Sequence, residues 1–214
     1  MPADIVEPQQ QRSREKFARV LEATARLLET TSYDDLGTKL IAAEAGVSIG
    51  VLYRYFPDKE AIVGALVTRW LRLDVEIAER VTAPPLPDTA RDFIAGLVTA
   101  YAERFRREPG YRKVWYHGPR IPAVDAFGKE TDREISAHVH RALVARYGLP
   151  DTPATRRRVH LSVDVGAHLL NLAFRELPDG DPEILADAVV MMERFLFADA
   201  SAGPGSSPGD VGRP

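Results

Sequence analysis

Between Thr38 and Glu60 the chain reads T-K-L-I-A-A-E-A-G-V-S-I-G-V-L-Y-R-Y-F-P-D-K-E, gathering Tyr53, Arg54, Tyr55 and Lys59 near its end. Phenol, guanidinium and ammonium groups this close together suit phosphate, because each donates hydrogen bonds to its oxygens and two are cationic. The surrounding spacing predicts how they are presented. Thr38 can cap a helix whose apolar positions Leu40, Ile41 and Ala45 recur at helical intervals, and Gly46 supplies the backbone of a tight turn. Val47 plugs that turn, Ser48 caps a second helix, and Leu52 and Phe56 lie four apart on its inward face. Its outward face carries Ile49, Gly50, Val51, Tyr53, Arg54 and Tyr55, and Pro57 ends it by pushing Phe56 out of the α region. Two short helices joined by a Gly-containing turn form a helix-turn-helix, whose second helix enters a major groove.

The histidines His117, His138, His140, His160 and His168 could ligate a metal or move protons. No two of them have the i, i+4 spacing of helical zinc ligands, and His138 and His140 lie about 200° apart around a helix. Without cysteine, a metal site would need carboxylates from separate helices, so neither metal nor cofactor is expected. Ser136 near His140 and Ser162 beside Asp164 have no nucleophile elbow or oxyanion loop, so no catalytic residue is assigned. The run Arg156 to Arg158 reads as a solvated helix start.

The run A-G-V-S-x-G-x-L-Y-x-Y-F-x-x-K-E, preceded by I-A and Thr38, is similar to the DNA-binding domain of the TetR family of bacterial transcriptional regulators. The likeness covers about residues 12 to 60, and beyond them only length and helical character agree. It implies that Thr38, Ser48, Gly50, Tyr53, Tyr55 and Lys59 contact DNA, mostly phosphates, while Ile41, Ala42, Leu52 and Phe56 are core. Ile49 and Val51 stand where family members often carry Lys, Thr, Ser or Asn, and apolar contact with thymine methyls is the natural substitute. Arg54 occupies a variable position that often helps set specificity, within reach of a guanine or a phosphate. The resemblance also implies a ligand-responsive regulator, foremost a repressor, that binds a palindromic double-stranded operator as a homodimer through its last two helices and is released by a small molecule.

Composition frames these expectations. The 214 residues are 45% hydrophobic, enough for one or two packed domains, and the formal net charge of -3 does not itself favour nucleic acid. From Arg12 to Lys59 eight cations oppose seven acidic residues, a local balance of +1, so DNA binding must rest on where the cations sit. The absence of cysteine suits a reducing cytoplasm, the start M-P-A-D-I-V-E-P-Q-Q has no signal-peptide pattern, and no membrane partner is expected.

Hydrophobic periodicity predicts an all-α chain, and together with the resemblance it implies four stretches: a flexible arm over 1–11, a three-helix DNA-binding domain over 12–60, a larger helical ligand-binding and dimerisation domain over 61–198, and a disordered tail over 199–214. The first helix runs from Ser13 to Thr30, shielding the helix-turn-helix with Phe17, Val20, Leu21, Thr24, Leu27 and Leu28. A long helix follows Lys59 until Pro84, and further helices span Asp88 to Arg107, Ala123 to Tyr147, Pro153 to Leu177 and Pro182 to Phe197, with a short piece around Trp115 and Tyr116. The last two are apolar on more than one face, as helices packed on their own domain and on a second subunit would be. Trp70, Tyr101, Phe105, Trp115, Tyr116 and Phe127 could line a cavity for a partly apolar or aromatic effector, with His117, Arg120, His138 and Asn171 as its polar groups. Two other readings fit the same residues: an activator of this fold, and a helical ligand-binding or enzymatic protein that does not use its helix-turn-helix.

Overall fold

Five of the described helices begin where a side chain takes up free amides of the first turn, whereas Gln10 and Gly37, which precede the first two, make no such bond. Ser48 Oγ accepts from the amide of Val51 (3.3 Å), Asp58 Oδ1 from Ala61 (2.7 Å) and Thr89 Oγ1 from Asp92 (3.0 Å). Thr152 and Thr155 form a reciprocal capping box, and Asp181 Oδ1 accepts from Glu183 and Ile184. Pro153 and Pro182 follow their caps, where a missing amide proton costs nothing. The computed structural model describes residues 10–108, 110, 111, 114 and 122–198, with the side chains of 122–124 left aside. Among these, the helices are α1 (Gln11–Thr30), α2 (Thr38–Glu44), α3 (Ile49–Tyr55), α4 (Lys59–Thr82), α5 (Ala90–Arg107), α6 (Pro122–Tyr147), α7 (Pro153–Ala173) and α8 (Pro182–Leu196). The described residues contain no strand. The expected piece around Trp115 and Tyr116 lies outside them, as do His117, Arg120, the tail 199–214 and all but the last residues of the expected arm.

The folded chain departs from the sequence pattern at three places. Thr38 does not cap α2: Gly37 holds that place with extended backbone, and Thr38, the first helical residue, turns its hydroxyl to Tyr53 instead. The helix expected to run to Leu177 stops at Ala173, because Phe174 turns into the core and is 1% exposed. Leu40 also differs from its apolar pattern. It is 44% exposed, since in so short a helix Ile41, Ala42 and Ala45 already fill the inward face.

One hydrophobic core runs from Phe17, Val20 and Leu21 of α1 through Ile41, Leu52 and Phe56 to Trp70, Phe105 and Tyr111. The expected boundary at residue 60 therefore falls at the start of α4 without dividing the packing. A second core gathers Phe93, Ile94 and Val98 of α5 with Ile135, Val139 and Leu143 of α6 and with Val159 and Val189. Gly110 is pressed against α1. A Cβ there would lie 2.9 Å from the carbonyl oxygen of Ala25 and 3.2 Å from the Cβ of Leu28, so the close approach requires glycine. The next residue, Tyr111, sets its ring edge-on to Trp70 and Phe105.

Candidate nucleic-acid interface and ligand cavity

The turn between α2 and α3 is closed by the amides of Gly46 and Val47, which donate to the carbonyls of Ala43 (3.1 Å) and Ala42 (3.0 Å). Gly46 adopts φ +62°, the left-handed region that other residues rarely enter. Beyond the turn Leu52 and Phe56 are wholly buried, with Phe56 stacked on Phe17 at 4.8 Å. Burying two adjacent turns of α3 fixes which of its faces points away. That outer face carries exposed Ile49, Gly50, Tyr53 and Arg54, with Val51 and Tyr55 half-buried at its edge. Nothing lies near a Cβ built on Gly50, so its surface is open to a close-approaching backbone.

Hydrogen bonds then set the polar groups. The hydroxyls of Thr38 and Tyr53 are 3.0 Å apart, tying the start of α2 to the outer face of α3. Arg54 donates through Nη2 to the Tyr55 hydroxyl (3.1 Å) and lies 5.2 Å from the centre of that ring. A hydrogen bond with Ser13, helped by Arg54 and the charge of Lys16, holds the Tyr55 phenol below its ordinary pKa. Lys59, expected to touch DNA, has its ammonium turned inward. It donates to the carbonyls of Tyr33 (2.8 Å) and Asp34 (3.3 Å) and sits over the Tyr33 ring, so it pins the α1–α2 loop to the start of α4. Arg26 is likewise engaged, with Glu44 at 2.9 Å.

A cavity of about 360 Å³ lies among α4, α5, α6, α7 and α8. Ile94, Val98, Ile135, Val159, Met192 and Leu196 supply much of its apolar wall, and Asp74, Asp132, Asp164, Ser162, Thr131 and His168 its polar groups. Of the expected lining residues, Tyr101 and Phe105 are there. Trp70, Phe127, His138 and Asn171 are not: Trp70 is 1% exposed in the core with its indole N–H on Glu108 (3.2 Å), and His138 turns to Glu79 at 3.8 Å. Trp115, Tyr116 and His117 lie outside the described residues. Periodicity finds the apolar stripe of a helix, but it cannot separate side chains that fill a core from those that border a void.

Asp74 and Arg104 were missed, and no pattern in the sequence marks them. Both are buried, with Arg104 Nε 3.2 Å from Asp74 Oδ1, though out of line for a hydrogen bond. Tyr111 donates to Asp74 Oδ2 (3.0 Å) and Tyr101 to the Asp74 carbonyl oxygen (2.8 Å). Burial pushes the Asp74 carboxyl up to about 6, outweighing the opposite pulls of Arg104 and Tyr111. The guanidinium nitrogens of Arg104 make no hydrogen bond among the described residues, and the group lies 4.7 Å from the centre of the Tyr111 ring.

Asp132 is also pushed up to about 6, chiefly by burial and then by Asp164, with His160 opposing. The folded chain therefore holds this proton more tightly than the unfolded chain, whose value is the ordinary 3.8, and stability from Asp132 falls as pH rises through that window. Asp132→Asn is expected to raise the melting temperature above pH 6, with a gain that shrinks as pH drops towards 4. Thermal melts across this range check it, and an undiminished gain at pH 4 would contradict it.

Donor atoms of Glu79, Glu134 and His138 come within 4.8 Å of one another. The grouping takes its carboxylates from two helices, α4 and α6. Both glutamates are exposed, and exposed acidic groups commonly gather without an ion. Among the described residues no helix is long and apolar enough to cross a membrane.

Comparison with known proteins places both parts of the chain. Residues 20–66 match the model of bacterial regulatory proteins of the tetR family, and residues 88–200 match that of the tetracyclin repressor-like C-terminal domain. The HTH-type transcriptional repressor KstR of Mycobacterium tuberculosis is 30% identical over 92 residues, 42% of this chain and 42% of that protein. The match thus spans less than half the length of that curated relative. An HTH-type transcriptional regulator of the same organism is 28% identical over 193 residues, covering 89% of this chain and 91% of that one. Among solved structures, a TetR-family regulator from Streptomyces coelicolor has a TM-score of 0.63 at 28% identity, over 86% of this chain and 98% of that one. A FadR of Bacillus subtilis, solved with stearoyl-CoA, shares the fold at 15% identity with a TM-score of 0.63, over 84% of this chain and 97% of that one. With its C-terminal match alone spanning more than half of its length, the chain belongs to the tetR family of bacterial regulatory proteins.

Proposed function

We propose that this chain is a ligand-responsive transcriptional repressor that binds a palindromic operator as a homodimer and leaves it when a small molecule fills the cavity. The observation that carries the reading is the two-sidedness of α3: Leu52 and Phe56 are wholly buried while Ile49, Gly50, Tyr53 and Arg54 face outward. A short helix held in this way can lie in a major groove with its hydroxyl and guanidinium groups near phosphates. Thr38, Ser48, Ile49, Gly50, Val51, Tyr53, Arg54 and Tyr55 form the contact surface, and Lys59 acts behind it by fixing the loop at Tyr33.

The second subunit supplies the other half-site. Leu161 and Val165 of α7 and Met191 and Phe195 of α8 are 42–52% exposed and form two i, i+4 pairs on helices that pack against each other. So much outward apolar surface on neighbouring helices suits burial against a copy of itself. The chain then divides by role into a DNA-binding head over 12–60 and a ligand-binding and dimerisation body over 61–198. Ligand and operator are coupled through whichever conformation each prefers, so the ligand must bind the DNA-free arrangement more tightly.

In vitro selection of bound genomic fragments, followed by gel shifts, tests the reading. Tight, salt-dependent binding to a symmetric site is expected, and weak binding indifferent to sequence would overturn it. Arg54→Ala is expected to lower affinity for all sequences alike and to reduce the salt slope by about one, as loss of one phosphate contact does. Relaxed discrimination at a single base position would instead assign Arg54 to a guanine.

A further inference from the structure

The charge of the cavity is one-sided. Apart from the phenols of Tyr101 and Tyr111, its ionisable lining among the described residues consists of Asp74, Asp132, Asp164 and His168, with no lysine or arginine. Asp74 is already occupied, by Arg104 at 3.2 Å and by the Tyr111 hydroxyl at 3.0 Å. Asp132 and Asp164 have no such partner. Neither forms an ion pair with a lysine or arginine among the described residues, and Asp164 has only the imidazole of His160, at 4.0 Å. The other ring nitrogen of His160 is 3.1 Å from the hydroxyl of Ser136. On the same wall Ser162 Oγ is buried and makes no hydrogen bond among the described residues.

We propose that the cavity takes an amphiphilic amine, whose apolar body lies along Ile94, Val98, Ile135 and Met192 and whose ammonium group pairs with Asp132. This rests on the reading of the cavity as the effector site. An ammonium supplies what the wall lacks: charge opposite to two neighbouring carboxylates, and protons for acceptors that are partly removed from water. A carboxylate or phosphate in its place would be a third anion beside Asp132 and Asp164, on a wall with no lysine or arginine among the described residues, and would be repelled. The raised value of Asp132 agrees, because its charged form is poorly solvated and has a like charge beside it. A bound cation would draw that value back down.

Calorimetric titration of the full chain with octylammonium, 1-octanol and octanoate tests this, because the three share one apolar body and differ in head group. Octylammonium is expected to bind roughly tenfold or more tightly than octanol, as a charge-assisted contact adds over a neutral one, with octanoate weakest. Octanol should compete with octylammonium, so that attachment to the acidic surface is told apart from entry into the cavity. Asp132→Asn, a near-isosteric change, should remove most of the preference for octylammonium over octanol, both measured on the variant. Equal binding of octylammonium and octanol, preference for octanoate, or a preference for octylammonium that survives Asp132→Asn would overturn the proposal and leave the effector site standing. Failure of all three to bind competitively would overturn both.

Discussion

Replacing Val165 and Phe195 together by Asp is expected to turn the protein into a monomer and to lower operator affinity by about 100-fold or more, since a symmetric site then engages one half at a time. Both side chains are over 40% exposed within one subunit, so each substitution leaves the subunit core intact. In a paired arrangement the same positions would bring two aspartates from each subunit into an apolar seam, where unpaired charge is strongly unfavourable. Sedimentation of the variant at several concentrations gives its oligomeric state, and gel shifts on the selected operator give its affinity. A folded variant that remains dimeric would move the interface away from α7 and α8. A monomer with undiminished operator affinity would break the link between dimerisation and recognition.

Arg104→Ala is expected to have the largest effect on stability, about 3–5 kcal/mol, because it leaves Asp74 buried without its cation. Arg104 and Asp74 are each about 6% exposed, and they join α5 to α4 between the two cores. Desolvation already works against the pair, as the upward shift of Asp74 shows. Replacing both residues by Leu is therefore expected to recover most of the loss, as apolar replacements of buried ion pairs often do. Urea unfolding at one fixed protein concentration measures all three proteins on a common scale. A loss below about 1 kcal/mol for Arg104→Ala would mean that water reaches Asp74 in solution.

Much of the fold was legible because the helices are long, and each core-facing stripe repeats several times before a proline or glycine ends it. Phe17, Val20, Leu21 and Leu28 in α1 and Ile62, Leu66, Trp70 and Ile77 in α4 are buried as their spacing implies. The helix-turn-helix was legible for a different reason. Its turn needs Gly46, its second helix needs a cap at Ser48, and Leu52 and Phe56 leave one orientation for what lies between them. The direction of a long polar side chain was not legible. Lys59 sits at the expected place but spends its protons on the carbonyls of Tyr33 and Asp34, which only the folded loop brings near. The cavity was less legible still, because Asp74 and Arg104 lie far apart in sequence and look like ordinary charged positions on helices. Their burial comes from tertiary packing, which also decides that Trp70 fills a core while Tyr101 borders a void.

Gly110 and Tyr111 are joined by a single peptide unit, yet each belongs to a different neighbourhood. The Tyr111 ring borders the cavity and its hydroxyl holds Asp74, whereas Gly110 has no room even for a methyl group against Ala25 and Leu28 of α1. The lengthwise route between cavity and head, from Asp74 back to Lys59 along α4, covers about 22 Å of helix at 1.5 Å per residue. This second route is shorter than one helical turn and has no slack, because a peptide plane is stiff and its α1 end already touches. An occupant that shifts the Tyr111 backbone towards α1, and does not merely turn its ring, presses Gly110 on the helix against which Phe56 stacks.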